Sequence, residues 1–159
     1  MAWFLSLCVL VALGLYGCQR ATNHAVDRMK VPDAEESVSQ ELVREATDYG
    51  DWVLPSDSTV LLVKREIIRD RKYQIAVRTT PDGLAAMLEQ SRFPAQFSLR
   101  TRFGLIETIA GPPLASSPRV EQAQEAWFTS AAGKVMIRDV TVDIRDDNTR
   151  FVHIEFRGV

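Results

Sequence analysis

The sequence is poor in the residues that most often carry catalysis or bind metals. It has two cysteines and two histidines in 159 residues, and both cysteines, Cys8 and Cys18, lie near the amino terminus. It has no cysteine pair, no His-x-x-x-His pattern and no EF-hand spacing, which excludes the common zinc and calcium motifs. We therefore expect no metal site, no cofactor and no disulfide within the folded part.

The sequence also lacks an excess of either charge. The formal net charge is −2, and both signs are well represented among the 25% of residues that are charged. This balance offers no basic surface to a phosphate backbone, so nucleic acid is not an expected partner. The part beyond Cys18 is long enough for one domain with its own core, which we assign to residues 34–159.

One apolar run is present, and it lies at the amino terminus. Residues 2–17 contain no charged side chain, and Arg20 follows closely. About 16 residues of helix span roughly 24 Å, which is short of the ~30 Å hydrocarbon core of a bilayer. That length is typical of the apolar core of a signal peptide rather than of a permanent membrane helix.

The tetrapeptide Leu15-Tyr16-Gly17-Cys18 closes this run and resembles the lipobox of bacterial lipoprotein precursors. Leu15, Gly17 and Cys18 occupy the positions of the leucine, the small residue and the acylated cysteine of that family. Tyr16 departs from the pattern, as does the absence of Lys or Arg before the run. The resemblance implies that residues 1–17 are a cleaved signal peptide and that Cys18 carries a diacylglyceryl thioether. It implies a cell-envelope lipoprotein anchored on the extracytoplasmic side of a bacterial membrane.

Three other interpretations of this region stay open. An uncleaved amino-terminal membrane anchor is supported by Arg20, Arg28 and Lys30, which the positive-inside rule would place on a cytoplasmic flank. Ordinary secretion is the second alternative. A buried apolar helix of a cytosolic domain is the third, although the run lacks the amphipathic stripe of such a helix. In the lipoprotein interpretation, residues 18–33 form the lipidated cysteine and a flexible tether. Such a polar coil reaches ~20 Å on average, which keeps the domain near the membrane.

The folded part is predicted to be an α+β domain, with an antiparallel sheet of about five strands and two or three helices packed on one face. Helical spacing of apolar residues, with Asp33 as N-cap, predicts a helix over 34–49. Thr80 and Pro81 predict the start of a second helix, which ends near Arg92. A short third helix is predicted over 118–127.

Alternation of apolar and polar residues predicts the strands. We expect strands over 59–68, 72–79 and 97–105, the first of them centrally placed and covered on both faces. A closing hairpin follows, with a turn at 146–149. Its core-facing residues are Val140, Val142, Ile144, Val152, Ile154 and Phe156. Trp52 and Trp127 flank apolar elements and are also expected in the core.

Several polar residues fall on the strand face opposite the apolar one. If their strands are neighbours, the guanidinium groups converge and could hold a carboxylate or phosphate. The alternative is an ordinary surface in which they pair with Asp139, Asp143 and Glu155. The candidate binding residues are Arg78, Arg100, Arg102, His153 and Arg157.

Five basic residues crowd the tip of the first hairpin. Contact with anionic lipid headgroups is one interpretation, and a solvated hairpin whose charges discourage edge pairing is the one we favour. The acidic residues Glu66 and Asp70 interrupt the cluster. Its basic members are Lys64, Arg65, Arg69, Arg71 and Lys72.

The catalytic constellations are incomplete. A serine–histidine–acid site would have to use His153, with Asp143 or Glu155 as the acid, and no glycine-flanked serine is present as its nucleophile. An acylated Cys18 has no free thiol. We therefore expect a non-enzymatic binding module, tethered to the membrane by its lipid, whose partner is an envelope protein or an anionic ligand. A small envelope hydrolase using His153 and a structural subunit of an envelope assembly are the alternatives.

Overall fold

The computed structural model describes residues 33–67, 69–94, 96–104 and 106–159. The predictions for residues 1–32, including Cys18, lie outside these ranges. Within the ranges, no helix is both long enough and apolar enough to cross a bilayer. The elements in chain order are β1 (Asp33–Ser37), α1 (Gln40–Gly50), β2 (Thr59–Ile67), β3 (Arg71–Thr79), α2 (Pro81–Gln90), β4 (Ser98–Arg100), a 3₁₀ turn (Leu114–Ser116), β5 (Arg119–Thr129), β6 (Val135–Ile144) and β7 (Arg150–Gly158).

The strands of this part form one antiparallel sheet in the order β1-β2-β3-β7-β6-β5-β4. This confirms the α+β class and the antiparallel sheet, but the sheet has seven strands rather than about five. The two extra strands, β1 and β5, are segments for which a helix was predicted. The strand β7 lies at the centre, so β2 does not occupy the central place expected for it.

The core lies between one face of the sheet and the two helices. Because side chains alternate along a strand, every second residue of β3, β6 and β7 points to this side. Leu42 and Ala46 of α1 and Met87 of α2 pack onto it, and all three are buried. The sheet contributes Val63, Tyr73, Ile75, Val77, Ala123, Met136, Val140, Val142, Val152, Ile154 and Phe156.

The helix predicted over 34–49 is correct from Gln40 onward and wrong before it. The hydroxyl of Ser39, not Asp33, caps the helix by accepting the Leu42 N–H at 3.3 Å. The preceding residues form β1 instead, where Glu35 pairs with Arg65 of β2 at 2.7 Å. The N-cap predicted at Asp33 is therefore wrong, because the two glutamates of β1 find cationic partners on the neighbouring strand β2.

The remaining pattern-based elements are mostly confirmed. The second helix begins after Thr80, whose hydroxyl accepts the Gly83 N–H at 3.0 Å. The hairpin β6–β7 has the expected core-facing residues, and its turn is held by Asp146, which accepts the Asn148 and Thr149 N–H groups at 2.8 Å each. The strand predicted over 97–105 is present only at β4.

The helix predicted over 118–127 is wrong, because this segment is β5. Its residues have good helix propensity, but β6 on one side and β4 on the other recruit it into the sheet, and such tertiary pairing overrides propensity. A bulge between Glu125 and Phe128 interrupts it. Trp127 in this bulge has φ 62 and is 73% exposed, so its predicted core position is wrong, whereas Trp52 is buried as expected.

A buried arginine joins β6 to the ends of both helices. Arg138 has no exposed surface, and its guanidinium donates to the carbonyl of Gly50 at 3.3 Å and to that of Ser91 at 3.1 Å. It forms an ion pair with Glu125 and stacks 3.6 Å from the ring centroid of Phe128. We call this arrangement the arginine clamp. It connects the carboxyl-terminal ends of α1 and α2 to a single side chain of the sheet.

Candidate functional site

The sheet face opposite the helices is covered by a long connection rather than by a helix. Residues 101–118, of which 105 is not described, leave β4 and return to β5 across this face. We call this segment the strap. Consecutive prolines at 112 and 113 prevent it from forming either a helix or a ladder strand.

Polar contacts fix the strap to the sheet at two places. Near its middle, the carboxylate of Glu107 lies 3.0 Å from the Lys72 ammonium and 3.5 Å from that of Lys64. The hydrogen bond from Lys72 lowers the pKa of Glu107, which keeps this carboxylate ionised. Near its end, Arg145 donates to the carbonyl of Pro113 at 2.8 Å, and the Ser117 hydroxyl donates to Asp143.

A cleft of about 370 Å³ lies between the strap and the sheet. The strap contributes two aliphatic residues, Ile106 and Ile109, and the carboxylate of Glu107 between them. The floor of the cleft is polar and comes from neighbouring strands. The side chains that line the floor and walls include Gln74, Glu107, Gln122, Gln124, Asp139, Thr141, His153, Glu155 and Arg157.

Two buried side chains on the floor have polar atoms without partners. His153 is 7% exposed and Gln74 is 3% exposed. Among the described residues, neither imidazole nitrogen of His153 has a hydrogen-bonding partner, and the same holds for the Oε1 of Gln74. Gln74 lies opposite Glu155 in the β3–β7 register, and small Ala76 lies opposite His153. Gln74 and His153 are thus diagonal neighbours on one face, about 7 Å apart or less.

The imidazole of His153 is uncharged at neutral pH. Burial lowers its pKa to about 4, although the nearby carboxylate of Asp143 acts in the opposite direction. A neutral imidazole carries one N–H donor and one acceptor nitrogen. In the strap, Gly111 has φ 94, and a Cβ built on it would lie 3.7 Å from Cε1 of His153. The strap backbone therefore passes close over the ring, which explains its burial.

The carboxylates around the cleft are already paired. Glu155 accepts the Nε2 hydrogen of Gln74 at 3.1 Å and lies 3.3 Å from Lys72. Asp139 accepts from Gln124 at 2.7 Å and from Arg157 at 2.8 Å. The acidic groups are thus engaged by neighbours. Among the described residues that line the cleft, the buried side-chain atoms without a hydrogen-bonding partner belong to Gln74, His153 and Arg157. The Arg157 atom is Nε, which lies 2.8 Å from the Glu155 carboxylate in an ion pair, so the capacity that no neighbour engages belongs to the two uncharged side chains.

The registers bring only two of the predicted binding residues to this cleft. His153 and Arg157 line it. Arg78 lies opposite Phe151, six residues along β7 from Arg157, which corresponds to about 20 Å. Arg100 donates to the side-chain carbonyl of Gln122 at 2.8 Å. The strand registers place Arg100 and Arg78 on one line perpendicular to the strands. Four strand spacings separate the two residues, which corresponds to about 19 Å.

Arg102 lies in the strap and is exposed. It follows β4 rather than belonging to it, so the strand-face position predicted for it is wrong.

The catalytic hydrogen bonds considered for His153 are not formed by the described residues. Its side chain has no partner, and Glu155 is engaged by Gln74 and Lys72 instead. Asp143 accepts from Ser117 and from Arg145 at 2.7 Å.

At the first hairpin, most of the basic cluster is engaged in ion pairs. Lys64 contacts Glu66 at 2.9 Å, Arg65 contacts Glu45 at 3.0 Å, and Lys72 is paired with the strap. Arg69 and Arg71 lie exposed at the tip.

Sequence reasoning missed Gln74, Thr141 and the strap. Thr141 is buried, lines the cleft and lies directly opposite His153 in the β6–β7 register. Gln74 on β3 and Thr141 on β6 belong to no recognisable sequence motif. Only the pairing of β3 with β7 brings Gln74 close to His153. The sequence did contain one useful signal. Gln74 is four residues from Arg78 on β3, so the two side chains lie on the same, polar face of the strand.

Comparisons with known protein families, with curated proteins and with solved structures find no match to this chain.

Proposed function

We propose that this protein is a membrane-tethered lipoprotein of the bacterial cell envelope that binds a small ligand in the cleft beneath the strap. The observation that carries the binding role is the pair His153 and Gln74. Both are buried, both line the cleft, and both have polar atoms without partners. A buried polar group without a hydrogen bond costs about 1–3 kcal/mol, and a ligand that supplies the missing partners removes that cost.

The cleft favours an uncharged ligand over the anion considered from the sequence. Arg157 is the arginine that lines it, and its guanidinium is already shared between Asp139 and Glu155. The cleft also contains Glu107, Asp139 and Glu155, which would repel a carboxylate or phosphate. No converging pair of free guanidinium groups is found among the residues that line this cleft.

The tether is the second part of the proposal, and it rests on Leu15-Tyr16-Gly17-Cys18. An acyl chain contributes about 0.8 kcal/mol for each buried CH₂, and two or more chains hold a domain stably at a membrane. The proposed partners are thus the membrane, through the lipid, and the ligand, through the cleft.

The lipid anchor is tested by expressing the full chain in a bacterium supplied with an alkyne-labelled fatty acid. We expect label on the wild-type protein, a mature amino terminus at Cys18 by mass spectrometry, and no label on Cys18→Ser. Cys8→Ser is the matched control and should label normally. A mature chain that begins at Met1 or carries a free thiol at position 18 would refute the anchor.

The binding role is tested by thermal denaturation of the full chain with a library of small uncharged and anionic compounds. We expect at least one uncharged compound to raise the melting temperature of wild type and to leave His153→Phe unchanged. An equal shift in both proteins would show that the compound binds elsewhere and would count against the cleft.

A further inference from the structure

We infer that the ligand of this cleft is a hydroxyl-bearing, uncharged molecule, with a saccharide unit as the chemical class that fits it. This inference rests on the proposed binding function and specifies its ligand.

The first step is the balance of donors and acceptors on the buried floor. The unpartnered Gln74 Oε1 requires a donor. The neutral imidazole of His153 requires one donor and one acceptor. Thr141, which faces His153 across β6 and β7, carries a hydroxyl that both donates and accepts. A ligand must therefore present both functions to side chains on adjacent strands, and hydroxyl groups do so because each one both donates and accepts.

The second step is the polar rim. Gln122 and Gln124 line the cleft, and amides such as these also donate and accept. The carboxylates of Asp139 and Glu155 are acceptors, each with two oxygens that can take more than one hydrogen bond. Several neighbouring hydroxyls on one ligand would satisfy this rim, whereas a single amide would satisfy only the floor.

The third step is the strap side of the cleft. Ile106 and Ile109 of the strap present aliphatic side chains to the cleft. A saccharide ring has an apolar C–H face and a polar edge, so it fits a cavity with aliphatic side chains on one side and a polar floor. The volume of about 370 Å³ falls within the ordinary range for small-molecule sites.

The test is ligand-observed saturation-transfer NMR on the full chain in a detergent without a sugar headgroup. The probes are methyl glucopyranoside for hydroxyls, N-acetylglycine methylamide for uncharged amides, and acetate for anions, with heteronuclear detection of the His153 imidazole. We expect the glycoside to bind and to shift the imidazole resonances, and the other two probes to bind at least tenfold more weakly.

Variants locate the binding. Gln74→Leu removes the unpartnered acceptor, and Gln90→Leu on the exposed surface of α2 is its matched control. We expect about tenfold weaker binding of the glycoside in Gln74→Leu, which is the effect of one lost hydrogen bond to a buried group, and unchanged binding in the control. If Gln74→Leu does not fold, Thr141→Val serves in its place, because valine has nearly the same shape as threonine.

The outcomes separate the two proposals. Binding of the amide probe or of acetate at the His153 imidazole, with no binding of the glycoside, would overturn the saccharide inference and leave the binding function standing. No binding by any of the three probes, with unperturbed imidazole resonances, would overturn both. Glycoside binding that is equal in Gln74→Leu and Gln90→Leu would overturn the assignment to this cleft.

Discussion

The protonation of His153 is expected to make folding stability fall in a defined pH window. Burial lowers the pKa of this imidazole in the folded protein to about 4, from an ordinary value of 6.5. Between these two values the unfolded chain binds a proton that the folded chain does not. The free energy of unfolding therefore falls as the pH drops from 6.5 toward 4, and the contribution is fully present above pH 6.5. The shift corresponds to about 3 kcal/mol.

The assay is urea denaturation followed by circular dichroism, at intervals between pH 7.5 and pH 4, for wild type and His153→Phe. Other titrating groups contribute equally to both proteins, so the difference between the two curves isolates this histidine. We expect the curves to diverge below pH 6.5, with the variant losing about 3 kcal/mol less by pH 4.

The same variant tests the reason for the shift. At pH 7.5, His153→Phe should be at least as stable as wild type, because it removes buried nitrogens without partners. The variant should nevertheless lose ligand binding, because residues that serve a binding site often lower the stability of the fold. Parallel pH curves for the two proteins would refute the reasoning, because they would mean that the imidazole is hydrated in the folded state.

Three further predictions concern other buried or strained groups. Arg138→Met is expected to lower the free energy of unfolding by about 3–5 kcal/mol, because it leaves Glu125 and the helix-end carbonyls without their partner; urea denaturation measures this, and a loss below ~1 kcal/mol would contradict it. Burial and the hydrogen bond to Glu45 raise the pKa of Tyr73 to about 12, so stability should fall more steeply between pH 10 and pH 12 in wild type than in Tyr73→Phe, as followed by alkaline denaturation. Trp127→Gly should raise the melting temperature, because a backbone φ of 62 costs a residue with a Cβ about 1 kcal/mol. Trp127→Ala is the control, since alanine keeps that cost. An equal rise in melting temperature in both variants would count against backbone strain.

The sequence predicted those parts of the fold in which local pattern and tertiary packing agree. The strands β2 and β3, the helix α2 and the hairpin β6–β7 each have a clear period and a recognisable cap or turn. Two segments predicted as helices are strands, at 34–37 and at 119–127. Their residues are suited to a helix, but β2, β4 and β6 pair with them. No local signal reports a partner strand that lies far away in the sequence.

The site was predictable only in part for the same reason. The alternation of β7 placed His153, Glu155 and Arg157 on one face, and the structure confirms that shared face. The convergence of arginines required a strand order that the sequence does not contain. Gln74 became visible only when β3 and β7 were paired, and no local pattern places the strap over the sheet.

The pairing of β3 with β7 has a consequence for how the protein is made. Gln74 and Glu155, which hydrogen-bond across this central pair, are 81 positions apart in the chain. During synthesis the edge of β3 that pairs with β7 therefore stays unpaired until β7 has been made, and such distant pairings form slowly. The sheet of the nascent polypeptide therefore stays incomplete until the residues between Gln74 and Glu155 have been translated.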